Sequence, residues 1–239
     1  MDDREVLTHL RSVVYQGDGP ALVALLSEPP WPTDSLQLIG DGLLVAVRGG
    51  VAGSPELART CVNALGERSW AGDPELAEAL DAALGAGPTP MLRPLPVDLA
   101  ELAEILEGDP VYGGGRIELT TGDVWPQSAI EYAEEVGEIE EDDDDPDRWL
   151  WVHCEGSRDG YHDMEWFVAD LDDDAFADRL ARALAGRGAF RRFRDRLYDR
   201  PELLTRWHAF SNDRQRGRAR RWLAAEGFTP VRRSRDATK

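Results

Sequence analysis

His153, Cys154, Asp159, His162, Asp163 and Glu165 crowd the side chains best suited to catalysis or metal binding into 13 residues of a 239-residue chain. A Cys–His nucleophile pair needs thiol and imidazole within hydrogen-bond reach. His153 and Cys154 are adjacent in a run of strand character, WLWVHCE (149–155), so they point to opposite faces and do not share a proton or an ion. Asp159, His162 and Asp163 carry the oxygen and imidazole donors of a divalent-cation or hydrolytic site, and they are the weak candidates for either role. They sit at a turn-like S-R-D-G-Y. The spacings H-E-x-x-H, C-x-x-C and the EF-hand loop are absent from the sequence. No catalytic residue and no cofactor is assigned.

The second kind of chemistry is anion binding. Arg187, Arg191, Arg192 and Arg194 follow Gly186 where a helix is expected to open. Helix N-termini and guanidinium forks both suit phosphate. Helical spacing puts Phe190, Phe193 and Leu197 toward a core and Arg187, Arg191 and Arg194 on another face, where Tyr198 comes next and shortens the basic stripe. A second block holds Arg214, Arg216, Arg218, Arg220 and Arg221. With Trp207 and Trp222 nearby, it has the basic and aromatic mix of single-strand binders. Trp222 with Leu223, and Trp207 with Phe210, also fit the apolar phase of a helix.

Two readings follow for Arg187, Arg191, Arg192, Arg194, Arg218 and Arg220. Either they pair with carboxylates of the same chain, which is the expectation, or they hold phosphate or nucleic acid. G-G-G-R (113–116) lacks the preceding strand, following helix and Lys of a phosphate loop, and is read as the entry to a hairpin or a mobile loop.

The net charge of −19 hides a division. Residues 187–239 hold 16 cations and 6 acids, net +10, and residues 1–186 hold 11 cations and 40 acids, net −29. The acidic extreme is 131–147, with 11 acids in 17 residues ending in EEDDDDPD, a solvated loop by composition. No stretch approaches the roughly 20 apolar residues of a membrane span. The N-terminus MDDREVLTHL lacks the basic and apolar regions of a secretory signal. Two Cys lie 93 positions apart, which favours free thiols and a cytoplasmic location over a disulfide framework.

The elements that must position these side chains are helices first. Residues 1–87 read as a helical module: a helix capped by Asp2 or Asp3, another after G-D-G-P (17–20), a third over 35–47, and two more opening at S-P-E-L-A (54–58) and D-P-E-L-A (73–77). Gly40 and Gly42 weaken the third, and LLVAV (43–47) alone resembles a strand. The two P-E-L-A starts hint at a 19-residue repeat. GAGPTPMLRPLP (85–96) reads as a linker, with its boundary over 88–96. Beyond it, 97–230 reads as an α+β domain: a helix over 97–108, a hairpin over 116–125, a strand at 149–155, and C-terminal helices DAFADRLARALAG, GAFRRFRDRLYD, PELLTRWHAF and DRQRGRARRWLAAEG. The expected fold is therefore α+β, an N-terminal all-α module followed by a small antiparallel sheet packed against C-terminal helices. Residues 231–239 read as a disordered basic tail.

GRGAFRRFRDRLYDRPELLTRWHAFSNDRQRGRARRWLAAEGF (186–228) resembles the C-terminal signature of an uncharacterised bacterial protein family of the UPF type. RIELTTGDVWP (116–126) and RWLWVHCEGSRDGYHDMEWF (148–167) are similar to further parts of it, so the resemblance spans about 97–228. It implies a fold boundary and no catalytic assignment. The sequence thus points first to a non-enzymatic interaction or regulatory protein with an unknown protein partner. The alternative is a nucleic-acid-associated or phosphate-associated protein acting through the C-terminal Arg-rich helices.

Overall fold

Apolar residues spaced three and four apart build the first helices. Leu7, Leu10 and Val13 lie on one side of α1 (Asp3–Gln16) and are buried. α2 (Gly19–Leu26) starts where the side chain of Asp18 accepts a hydrogen bond from the Ala21 amide at 3.0 Å, with Pro20 in the first turn. The structure, a computed structural model, describes residues 3–28, 30–111, 113–137 and 145–233. The Asp2 cap, the centre of the acidic run and most of the basic tail lie outside these residues.

α3 (Leu36–Arg48) takes in LLVAV, so that segment is helix and not strand. The two glycines that weaken it by propensity serve packing. A Cβ on Gly40 would fall 2.5 Å from Leu76 Cδ2, and one on Gly42 would fall 2.6 Å from Leu22 Cδ2. α4 (Ser54–Arg68) and α5 (Asp73–Ala83) open at the two P-E-L-A motifs. The expected caps shift by one residue: Gly53 and Gly72, at φ +83° and +82°, precede the helices. Ser54 Oγ instead donates to the Val51 carbonyl, and the Asp73 carboxylate turns inward. Leu10, Leu22, Ile39, Leu43, Leu65, Leu76 and Leu80 fill the core among these helices.

The chain divides into two compact units, one of Met1–Pro90 with Gly160–Gly217 and one of Met91–Asp159 with Arg218–Lys239. The division differs from one drawn at the Pro/Gly stretch, because residues 160–217 carry ion pairs and rings that belong with the N-terminal helices. Those residues lie in α8 (Arg158–Ala169), α9 (Asp174–Leu184), α10 (Ala189–Leu197) and α11 (Pro201–Ala225). Phe167, Phe193, Trp207 and Phe210 form a ring cluster with centroids 4.8–6.3 Å apart.

Two expectations change here. S-R-D-G-Y is not a free-standing turn: Arg158–Tyr161 is the first turn of α8. PELLTRWHAF and DRQRGRARRWLAAEG are one 25-residue helix, with the Asp213 carboxylate at their junction drawn into a buried network.

The other unit holds β1 (Arg93–Leu95), α6 (Leu99–Leu106), β2 (Gly115–Glu118), β3 (Val124–Pro126), α7 (Gln127–Glu135), β4 (Trp149–Val152) and β5 (Phe228–Pro230). Strand order in the antiparallel sheet is β3-β2-β4, with Arg116 opposite Trp125 and Trp151. Ile117 and Val152 face α6 and the end of α11, where Leu102, Leu106, Ala219 and Leu223 complete a core. The architecture is α+β. The parallel pair β1–β5 was not foreseen: Arg93–Leu95 lies within the Pro/Gly stretch, yet it pairs with Phe228–Pro230 and Leu95 is fully buried.

Candidate functional site

Four α11 arginines, Arg206, Arg214, Arg216 and Arg218, meet carboxylates, each within its own unit. Arg206 pairs with Asp34 at 3.3 Å and with Asp170. Arg214 Nε donates to Asp163 Oδ1 at 2.9 Å, and its guanidinium lies over the Trp166 ring at 4.2 Å. Arg216 reaches Asp41 at 2.7 Å. In the second unit, Arg218 Nε donates to Glu107 Oε1 at 2.8 Å and stands 4.0 Å from Asp159, while Arg220 is 2% exposed. A guanidinium withdrawn from water is costly unless paired, so Arg214, Arg216 and Arg218 serve as counterions within the fold.

The same pairs disperse the candidate metal or hydrolytic set. Asp163 is buried and engaged by Arg214, Asp159 faces Arg218, and His162 Nδ1 lies 2.9 Å from Glu165. Among the described residues, no three His, Cys, Asp or Glu side chains are grouped to hold a metal ion. His153 is exposed, and Cys154 Sγ faces the Leu106 carbonyl at 3.6 Å. Glu101 and Glu104 line an open groove of about 450 Å³ with Gly113, Gly114, Gln127 and Ser128.

A buried network in the first unit was not anticipated. Arg68 Nε and Nη2 donate to the two oxygens of Asp73 at 3.0 and 2.7 Å, and its Nη1 donates to Asp213 Oδ2 at 2.6 Å. Gln37 adds its backbone amide to Asp213 at 2.7 Å and its side-chain amide to Asp73 at 2.8 Å. The guanidinium also stacks on Trp70, 4.0 Å from the ring centroid. Positions 37, 68, 73 and 213 share no sequence motif, so only the tertiary fold reveals the set.

Burial pushes the Asp213 carboxyl up to about 6, against the opposing pull of Arg68 and the Gln37 amide. With the folded value raised above the unfolded one, the stabilising contribution of this group is complete below pH ~4 and is lost as pH rises through ~6. The stability difference between wild type and Asp213→Asn is therefore expected to fall by about 2–3 kcal/mol from pH ~4 to ~6.5. Urea titrations across that window measure it, and a flat difference would contradict the assignment.

The first Arg block behaves differently from the second. Gly186 and Gly188, both at φ +79°, form the link between α9 and α10. Arg192 Nε donates to the Ala183 carbonyl at 3.0 Å, Nη2 to Ala185 at 2.7 Å and Gly186 at 3.2 Å, and Nη1 to Arg187. Four of its five N–H groups thus close the carboxyl end of α9. α10 packs on Ala189, Phe193 and Leu197, a line of i, i+4 and i+8. Phe190, expected in the core beside Phe193 and Leu197, lies at the rim of that arc and is 46% exposed.

The outward face of α10 carries Phe190, Arg191, Arg194 and Tyr198, the last 69% exposed. Arg191 and Asp195 form a solvent-exposed pair at 3.8 Å, of the kind that contributes little. Arg187, Arg194 and Arg196 are exposed and make no ion pair among the described residues. From 179 to 198 the sequence holds seven Arg against one Asp. Here the chain presents an excess of positive charge beside exposed rings.

The structure defines an α+β protein whose Arg-rich C-terminal half is partly internal counterion and partly exposed surface. The model of the uncharacterised protein family UPF0158 matches residues 116–237, and the chain belongs to that family. The UPF0158 protein PA5073 of Pseudomonas aeruginosa is 28% identical over 142 residues, covering 59% of this chain and 90% of that protein. No solved structure matches. The exposed Arg face and the α11 counterions fall inside the matched stretch; Gln37, Arg68 and Asp73 fall outside it. No helix among the described residues is long and apolar enough to cross a membrane.

Proposed function

We propose that this chain is a non-enzymatic cytoplasmic binding protein whose α9–α10 surface holds a phosphate-bearing polyanion, nucleic acid in the first place. The observation that carries the reading is the contrast between the two Arg blocks. Arg206, Arg214, Arg216 and Arg218 face carboxylates of their own chain, whereas Arg187, Arg191, Arg194 and Arg196 stand in solvent. In a chain with 46 acids, a guanidinium cluster whose ion pairing is limited to the exposed Arg191–Asp195 contact is a surface left for an external anion. Two free thiols, Cys61 and Cys154, support a reducing compartment.

Binding of this kind releases counterions. With four arginines engaged, affinity for a labelled single-stranded oligonucleotide is expected to fall about 50-fold from ~50 to ~200 mM salt. Joint replacement of Arg187, Arg191, Arg194 and Arg196 by Gln is expected to abolish binding without loss of the folded circular-dichroism spectrum. Fluorescence anisotropy measures both. No binding at the lower salt, or unchanged binding by the quadruple variant, would overturn the proposal.

A further inference from the structure

Resting on the polyanion reading, we infer that the α10 face is selective for single-stranded nucleic acid, with Phe190 and Tyr198 as stacking platforms on either side of Arg194. The three residues lie at i, i+4 and i+8 on one side of the helix, so the two rings are about 12 Å apart along its axis. Both aromatics are exposed, at 46% and 69%, although the other face of α10 packs fully through Phe193 and Leu197. Arg194 lies between the rings and Arg191 follows Phe190.

The chemistry around the rings selects the occupant. A second copy of this chain docked about a two-fold axis would set this patch against itself, Arg191 and Arg194 facing their own equivalents. An apolar protein segment would cover the rings and desolvate the arginines without neutralising them. A single strand supplies phosphates for the guanidinium groups and unpaired bases for the rings, and stacking of this kind tolerates any base. In a duplex the base faces are already stacked inside, so the rings gain no partner there.

The test uses the full chain at about 50 mM salt and three polyanions: an oligo-dT of about 20 nucleotides, a duplex of the same length, and heparin, which has charge and no bases. Oligo-dT is expected to bind at least tenfold tighter than the duplex. Phe190→Ala with Tyr198→Ala is expected to loosen oligo-dT by about 10-fold to 100-fold while leaving heparin binding unchanged. Tyr198→Phe is expected to keep wild-type affinity. Equal affinity for strand and duplex, or an alanine pair that binds oligo-dT like wild type, would overturn stacking and leave the polyanion surface standing. Failure of all three ligands to bind would remove both. Phosphatidylserine vesicles binding more tightly than oligo-dT would reassign the face to an anionic membrane surface and overturn the inference.

Discussion

Replacing Arg68 by Ala is expected to destabilise the protein by about 3–5 kcal/mol at neutral pH. The side chain is the common counterion of Asp73 and Asp213, two carboxylates at 1% and 2% exposure. Its removal leaves both buried, with Gln37 and the Trp70 amide as their remaining donors among the described residues. Burial already holds the Asp213 carboxyl near 6 with the arginine present. Without it, protonation becomes the one route to neutrality, so part of the loss is expected to return in acid. Urea unfolding at pH ~7.5 and ~5 separates the cases. A loss below about 1 kcal/mol at neutral pH, or no recovery at lower pH, would show that the network is not the tie drawn here.

Gly217→Ala is expected to destabilise by at least 1–3 kcal/mol, roughly the cost of overpacking a tight contact. The sign is informative. In an ordinary helix interior this change stabilises by about 1 kcal/mol. Here a Cβ on Gly217 would lie 2.1 Å from the Ala71 carbonyl oxygen, and one on Gly72 would lie 2.1 Å from the Gly217 oxygen. The α11 backbone thus rests directly on the turn before α5. Relief would need that turn to withdraw from α11, and the Trp70–Phe210 edge contact at 5.3 Å would open with it. A variant with a raised unfolding midpoint would refute the close approach.

The sequence patterns that survived folding are local ones. Pro in the first turn placed α2, α4 and α5, apolar spacing of three and four placed α1, and strand-forming Trp, Leu and Val placed β4. Where the sequence misled, a tertiary partner outweighed a local preference. Gly40 and Gly42 argue against a helix until Leu76 and Leu22 occupy the space their side chains would fill. Asp73 has the sequence setting of a helix cap, yet its carboxylate serves Arg68. Arg93–Leu95 has the composition of a linker, but its partner β5 comes 135 positions later in register, Arg93 to Phe228. The two Arg blocks looked equivalent because charge alone carries no address. Whether a carboxylate stands opposite each guanidinium is decided by residues as distant in sequence as Asp41 and Arg216. Phe190 differs from Phe193 by three positions, and only the packed line Ala189–Phe193–Leu197 shows which of them faces out.

One exposed face, α10 with the link before it, is proposed to receive the polyanion, while Arg206, Arg214, Arg216 and Arg218 of α11 stay paired with carboxylates of the fold. Amide chemical-shift mapping of the isotope-labelled full chain during an oligo-dT titration tests this residue by residue. Shifts concentrated on residues 187–198 are expected, with the amides of 206–220 unmoved. Shifts centred on 206–220, or no shifts at saturating oligonucleotide, would contradict it.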